Sequence, residues 1–545
     1  MTALTGTARL ALAWVRRDRL RLAVWLLVLP VINALFYTAL NGMFGDDPAA
    51  MASRAALIKS ATGVIFGGPE YGVDHYTVPA MMTNELLLYY EVPLAIGIIL
   101  LALRATRAEE ESGRYELVGA AVTGRYAPLA AMLSVTCLLS AGVALLMWAS
   151  CLVCGLPVAD SLAYGLAVGL TGMAFAGVAA VASQLTQTSR AGGGLAAAAL
   201  GLAFVCRAAG DMRREHGSAL SWLSPLAWGQ QTRAYTDTRF WPLMLYAVPL
   251  VAGAAVAFLL ARRRDLGAGL LPQRRGRARA GALLAGRRLV PLGLVWRLVR
   301  GNWLAWAVGA AVLGVAVGPL MGGQLGQFAE SNPTAKKVLE PTGAATPTAL
   351  ANGFGAVMFL FLGLMALWFA LTAVGRWRQA EDAGVAEQVL ATPVARWRWL
   401  GAYAVAGAAG GVAIIVIGGF CLGVTEPAAS RAGSALAQGL ALAGDAFAYA
   451  PAVLATVGLA VALFGWLPRF GAVNWLVLAY SIVAGWFGGV LGLPAWAGRL
   501  APLSATPRVP SVSVSWPALA WFLAAAAALA AAGLAGWRRR DLRAA

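Results

Sequence analysis

The sequence runs to 545 residues, of which 60% are Ala, Val, Ile, Leu, Met, Phe, Trp, Tyr or Cys and only 12% are charged, with a mean hydropathy of +0.71. A soluble domain carries about 25% charged residues, so this balance excludes an ordinary soluble enzyme and a disordered chain and leaves a polytopic membrane protein. The formal charge is nevertheless +18, and where it sits decides whether it addresses nucleic acid or membrane topology.

A bilayer core needs about 20 apolar residues per helix. The hydropathy pattern predicts twelve spans. Six lie at 22–40, 84–103, 127–153, 161–184, 192–207 and 241–261. Six more lie at 302–321, 353–375, 399–422, 435–465, 471–491 and 516–537. The fifth is short. The tenth is too long for one span, and Pro451 with the Gly444-Asp445 pair predicts a break in it. Trp14, Arg16, Arg17, Arg19 and Arg21 precede the first span, and Trp296, Arg297, Arg300 and Trp303 surround the start of the seventh. Arginine and tryptophan in these places suit helices lying in the headgroup plane. The first apolar stretch is long enough to span and lacks an A-x-A exit, so no cleavable leader is expected.

Orientation follows from arginine. With the N-terminus inside, the seven cytoplasmic segments hold 30 of the 42 Lys and Arg and 10 of the 24 acids, a balance of +20 against −2 elsewhere. That is the positive-inside pattern, with both termini cytoplasmic. Nucleic-acid binding is disfavoured, because the cations are spread over short loops with no domain to present them. Five cysteines and two histidines are too few for haem, an iron–sulfur cluster or a usual zinc site, so no metal is expected. Cys151 and Cys154 form a C-x-x-C in an apolar run, read either as small packing residues or as a disulfide or redox pair.

The chain reads as two halves, 1–271 and 272–545. Arg262-Arg263-Arg264-Asp265-Leu266 after the sixth span recurs as Arg538-Arg539-Arg540-Asp541-Leu542 after the twelfth. Trp241-Pro242 recurs as Trp516-Pro517, and Arg16 and Arg19 recur as Arg297 and Arg300. An even number of spans per half makes the repeat parallel, which disfavours inverted-repeat secondary transporters. The densest match is the loop after the second span of each half. There Arg107, Glu110, Glu111, Gly113, Glu116 and Arg125 pair with Arg378, Glu381, Asp382, Gly384, Glu387 and Arg396 in one register. Acids contribute little to insertion. Such a loop is a solvated helix with internal ion pairs or a docking surface for a soluble partner, and its occurrence twice favours docking.

These loops resemble the coupling loops of ABC-2-type exporter permeases, with an E-x-G-x-x-E-like core at 110–116 and 381–387. The second copy also has the Thr392-Pro393-Val394 turn, where the first has Ala121-Val122-Thr123. SWLSPLAWGQQTRAY (221–235) and RFWPLML (239–245) carry a closer resemblance to the duplicated polyketide-antibiotic (tetronasin-type) exporter membrane proteins. The resemblance implies an all-α fold of twelve transmembrane helices, two parallel six-helix repeats of the type V exporter kind, in a bacterial cytoplasmic membrane. It implies export of hydrophobic or amphipathic small molecules such as antibiotics. It also implies coupling through Arg107, Glu110, Glu111, Gly113, Glu116, Arg125, Glu381, Asp382, Gly384, Glu387, Pro393 and Arg396. The chain has no Gly-Lys pair, hence no G-x-x-x-x-G-K-[ST] loop. ATP and Mg²⁺ are therefore expected on two copies of a separate cytoplasmic ATPase, with no cofactor held by this chain.

Candidate substrate-facing residues are Glu91, Phe36, Tyr37, Tyr89, Tyr90, Phe359, Phe361 and Trp368. Glu91 lies 13 residues before Arg104, roughly 20 Å of helix at about 1.5 Å per residue. It is expected to be the one deeply placed acid, with Glu85 and Asp445 near the outer boundary. An intramembrane carboxylate faces a cavity or a partner, so Glu91 is either functional or a hydrogen-bonded structural group. Trp222, Pro225 and Trp228 are candidates for an external gate, or for interfacial structure without gating. A membrane-embedded lipid-modifying enzyme and a proton-driven secondary transporter are the alternatives; each needs more convergent ionisable groups than these spans show.

Overall fold

The computed structural model describes residues 3–45, 48–59, 61–119, 121–265, 267–271, 290–321, 347–426, 434–471, 473–482, 484 and 495–540. It divides into two compact units, Met1–Arg275 and Gly276–Ala545. The described residues hold 11 helices long and apolar enough to cross a membrane.

The first unit comprises α1 (Thr7–Phe44), α2 (Leu87–Ala105), α3 (Arg107–Glu111), α4 (Arg114–Gly119), α5 (Ala127–Val153), α6 (Val158–Leu185), α7 (Ser189–Arg213) and α8 (Ala247–Arg262). The second comprises α9 (Val290–Met321), α10 (Pro347–Asp382), α11 (Val385–Leu390), α12 (Arg396–Val424), α13 (Ala435–Phe447), α14 (Ala450–Trp466), α15 (Val473–Ile482) and α16 (Trp516–Arg539). Most expected spans fall on these helices. The eleventh is described only as α15, since 483 and 485–494 lie outside the described residues, as do residues 322–346 between the seventh and eighth expected spans.

Three boundaries refine the sequence reading. The α1 helix is broken at Asp18, whose backbone leaves the helical region (φ −102°, ψ 17°), so a kink separates its first turns from the apolar run that follows. The tenth segment divides into α13 and α14, with Pro451 in the first turn of α14. The fifth span is not short: α7 has 25 residues and carries Arg207 and Asp211 inside it. Hydropathy stopped at Arg207 because a lone charge looks like an exit, whereas its partner one turn later allows the helix to continue.

Small residues set the packing. In lipid no hydrophobic force drives helices together, so close backbone approach carries association. Gly253 of α8 lies on Gly177 of α6, where an added Cβ would stand 2.7 Å from backbone. Gly465 of α14 meets Gly533 of α16, where a Cβ would come within 2.1 Å of a carbonyl oxygen.

Candidate functional site

The two matched loops fold alike. In the first, α3 ends at Glu111 and Gly113 (φ +71°) turns the chain into α4. In the second, α10 ends at Asp382 and Gly384 (φ +70°) turns it into α11. The left-handed conformation at both positions explains the paired glycines.

The other paired residues divide by environment. Arg107 is fully buried and donates to the carbonyls of Ser183 and Gln184 at the end of α6. Its mate Arg378 donates to the carbonyl of Pro468, just past α14. Glu110 accepts two hydrogen bonds from Arg264, at 2.6 and 3.0 Å, and one from Arg107 at 2.9 Å. Its mate Glu381, only 4% exposed, is paired with Arg540. Arg125 donates to the carbonyls of Ala261 and Arg262 at 2.9 and 3.1 Å, and Arg396 donates to that of Arg540 at 3.0 Å. Glu111 accepts from the backbone and hydroxyl of Ser189, both at 2.7 Å, where a carboxylate suits the start of α7. Burial, with the charge of Glu110, pushes the Tyr115 phenol up, and Arg264 and Arg125 oppose it. Gly113, Glu116, Asp382, Glu387 and Pro393 are exposed, and Gly384 beside them is half-buried. The outer set offers the surface on which another protein can dock, and the inner set fastens each loop to its own half.

An apolar cavity of about 280 Å³ lies in the second unit, lined by Trp306, Phe361, Leu364, Met365, Trp368, Leu478 and Ile482. The Trp368 ring stands 6.0 Å from that of Trp306 and 6.0 Å from that of Trp475, edge to face with the latter. Trp368 is 43% exposed and Trp475 45%. Trp368 precedes Arg378 by about 15 Å of helix at about 1.5 Å per residue, deeper than an interfacial aromatic belt requires. The first unit differs. The register that pairs Arg16 with Arg297 pairs Trp25 with Trp306, and the register of the loops pairs Gly97 with Trp368. Trp25 lies directly on Gly97, where a Cβ would stand 2.5 Å from the indole. Ring on glycine closes the first unit at this level; ring beside ring leaves an open hollow in the second.

Of the other candidate residues, Phe36 and Tyr89 are exposed on the surface of the first unit, and Tyr37 packs against its core. Tyr90 is buried with no hydrogen-bond partner for its hydroxyl among the described residues, and Phe359 is buried against Tyr449. Glu91 is wholly enclosed. The Thr171 and Tyr246 hydroxyls lie 3.2 and 3.4 Å from its Oε1 and can donate to it, while Oε2 has no partner among the described residues. Nor is Glu91 the one buried acid. Asp211 is paired with the fully buried Arg207 at 3.3 Å and accepts from the Ser221 hydroxyl at 2.6 Å. Glu85, expected at the boundary, is buried and accepts hydrogen bonds from Arg54 and from the Tyr76 hydroxyl. Burial opposes the charge on Arg54, but the hydrogen bonds and charge of Glu85 outweigh it and hold the guanidinium above its ordinary value.

Trp222, Pro225 and Trp228 come together. The Trp228 indole donates to the Trp222 carbonyl at 2.8 Å and stands edge-on to Tyr246, Trp222 stacks on Trp241 at 5.0 Å, and Pro225 opens a short helical turn. Leu226, Ala227 and Trp228 are buried. Cys151 and Cys154 are both free thiols, and Asn33 donates to Cys151 Sγ at 3.4 Å. Sequence reasoning missed Arg207, Asp211, Trp306 and Trp475. The i,i+4 spacing of Arg207 and Asp211 inside an apolar run was the available signal.

A family model described as "Multidrug efflux system permease Rv1217c, C-terminal domain" matches residues 290–538. The multidrug efflux system permease protein Rv1217c of Mycobacterium tuberculosis is 35% identical over 544 residues, covering 99% of this chain and 96% of that protein. Identity along the whole length agrees with the eleven apolar helices among the described residues, and the chain belongs to the family of multidrug efflux system permeases.

Proposed function

We propose that this chain is the membrane permease of an ATP-driven exporter of the ABC-2 type, with twelve spans in two parallel six-helix halves and both termini cytoplasmic. It moves hydrophobic or amphipathic small molecules out of the cell, with the hollow beside Trp306, Trp368 and Phe361 as a site that accepts them. A separate ATPase carries ATP and Mg²⁺, and two copies of it dock on the outer faces of the matched loops. The observation that carries this reading is the recurrence of one loop geometry, glycine turn and exposed acid included, at Gly113 and Glu116 and at Gly384 and Glu387.

Docking and closure of the ATPase pair displace the two loops, and the displacement reweights two states of the membrane helices. Transport is coupled only if the substrate binds those states unequally. The test is co-purification of a candidate ATPase with the permease. Charge reversal at Glu116 and Glu387 together is expected to abolish it, and binding that survives both reversals overturns the docking assignment.

One observation favours a second reading, a proton-linked transporter. Glu91 has a buried oxygen with no described partner, and an intramembrane carboxyl of that kind suits proton exchange. Unchanged efflux and unchanged pH dependence in Glu91→Gln dismiss it.

A further inference from the structure

The arginine triplet after the last helix of each half, Arg262-Arg263-Arg264 and Arg538-Arg539-Arg540, recurs between the halves. Its members are not equivalent. Arg262, Arg263, Arg538 and Arg539 are exposed, as headgroup-facing cations should be, but the third arginine of each triplet turns inward. Arg264 makes a two-pronged contact with Glu110, and both side chains are 8% exposed. Arg540 pairs with Glu381 and also donates to the Phe464 carbonyl, with its guanidinium over the rings of Trp377 and Trp537.

The reverse side of each loop grips the same helix end. Arg125 and Arg396, fifteen positions after the acids in both copies, donate to the backbone carbonyls where α8 and α16 finish. Those carbonyls have no partner within the helix and carry its negative end. Each loop is thus held where it begins and where it returns, and only its middle, with the glycine turn and the exposed acid, is left outside.

We propose that Arg264 and Arg540 are positioning residues that join the loop to the last helix of their half, so that movement of the loop is delivered to α8 and α16. This rests on the ATPase-docking reading above. A charge-assisted pair with two parallel hydrogen bonds fixes angle as well as distance, and a lysine cannot reproduce that fork. A buried pair is weak evidence for stability but holds a geometry, because separating it strands a charge in a poorly solvated place. The same residue types, a glutamate and two arginines, make the same joint in both units, Glu110 with Arg264 and Arg125 and Glu381 with Arg540 and Arg396, which marks the joint as a working part.

The experiment uses the permease co-expressed with its ATPase, comparing the native chain with Arg264→Gln, Arg264→Lys and the exchange Glu110→Arg with Arg264→Glu. Three quantities are read: co-purified ATPase, efflux per ATP hydrolysed, and hydrogen exchange of the 107–116 amides in the permease alone. Arg264→Gln is expected to retain the ATPase, lower efflux per ATP about tenfold and deprotect the loop. Arg264→Lys should recover part of the efflux, and the exchanged pair most of it together with the protection. Native efflux per ATP in Arg264→Gln overturns the proposal. So does an exchanged pair that restores protection without restoring efflux. If the native chain retains no ATPase, the docking reading is what fails, and the exchange data still report whether the pair holds the loop.

Discussion

Gly229 sits against the Glu91 carboxyl: a Cβ at Gly229 would stand 2.3 Å from Glu91 Oε1 and 3.0 Å from the Leu87 side chain. The segment of Trp222, Pro225 and Trp228 therefore rests directly on the wholly buried Glu91 of the first unit. Glu91 can yield only by leaving the Thr171 and Tyr246 hydroxyls. Gly229→Ala is accordingly expected to destabilise the protein by about 1–3 kcal/mol, the usual cost of overfilling a packed site. Thermal unfolding in detergent measures it. Combining it with Glu91→Ala should relieve much of the loss, since the deleted carboxyl vacates the space the new methyl needs. Equal losses in the single and double variants would show that the contact is not what limits the site.

Arg207 and Asp211 form a buried pair that joins three segments. Arg207 also donates to the Ile65 carbonyl and contacts Gln230 at 3.4 Å, and Asp211 accepts from Ser221. Removing one member leaves the other charged without its partner, which typically costs about 3–5 kcal/mol. Asp211→Ala and Arg207→Ala are each expected to fall in that range. Replacing both by leucine should cost less than either, because no stranded charge remains. Unfolding midpoints of the three variants, measured in the same detergent, decide the matter.

The spans and the loops were legible because each is written in a local, averaged property. Hydropathy over twenty residues places α5 and α16, and a glycine recurring in one register marks Gly113 and Gly384. The joints were not legible, because Glu110 and Arg264 are 154 positions apart and hydropathy counts Arg264 like its exposed neighbours. Among the aromatic candidates, only Phe361 and Trp368 line the hollow. A count of rings cannot say whether an indole meets a glycine, as Trp25 does at Gly97, or another indole, as Trp306 does at Trp368. Glu91 was legible as deep, but its neighbours Thr171, Tyr246 and Gly229 come from three separate segments that only the fold assembles.

That contrast between Trp25 on Gly97 and Trp306 beside Trp368 gives the proposed substrate role of the hollow a direct test. Trp368→Ala removes the wall shared by both ring pairs. A tryptophan anchor that a ligand covers is commonly worth more than about 1.4 kcal/mol, so apparent affinity for an apolar fluorescent substrate should weaken about tenfold or more. Trp25→Ala, in the half that is already closed, should leave affinity near native while lowering stability, by less than the about 3–5 kcal/mol of a fully buried tryptophan because Trp25 is half-buried, through the space it opens beside Gly97. Fluorescence titration and thermal unfolding of both variants separate the two roles. Native affinity in Trp368→Ala would remove the hollow from the list of substrate contacts.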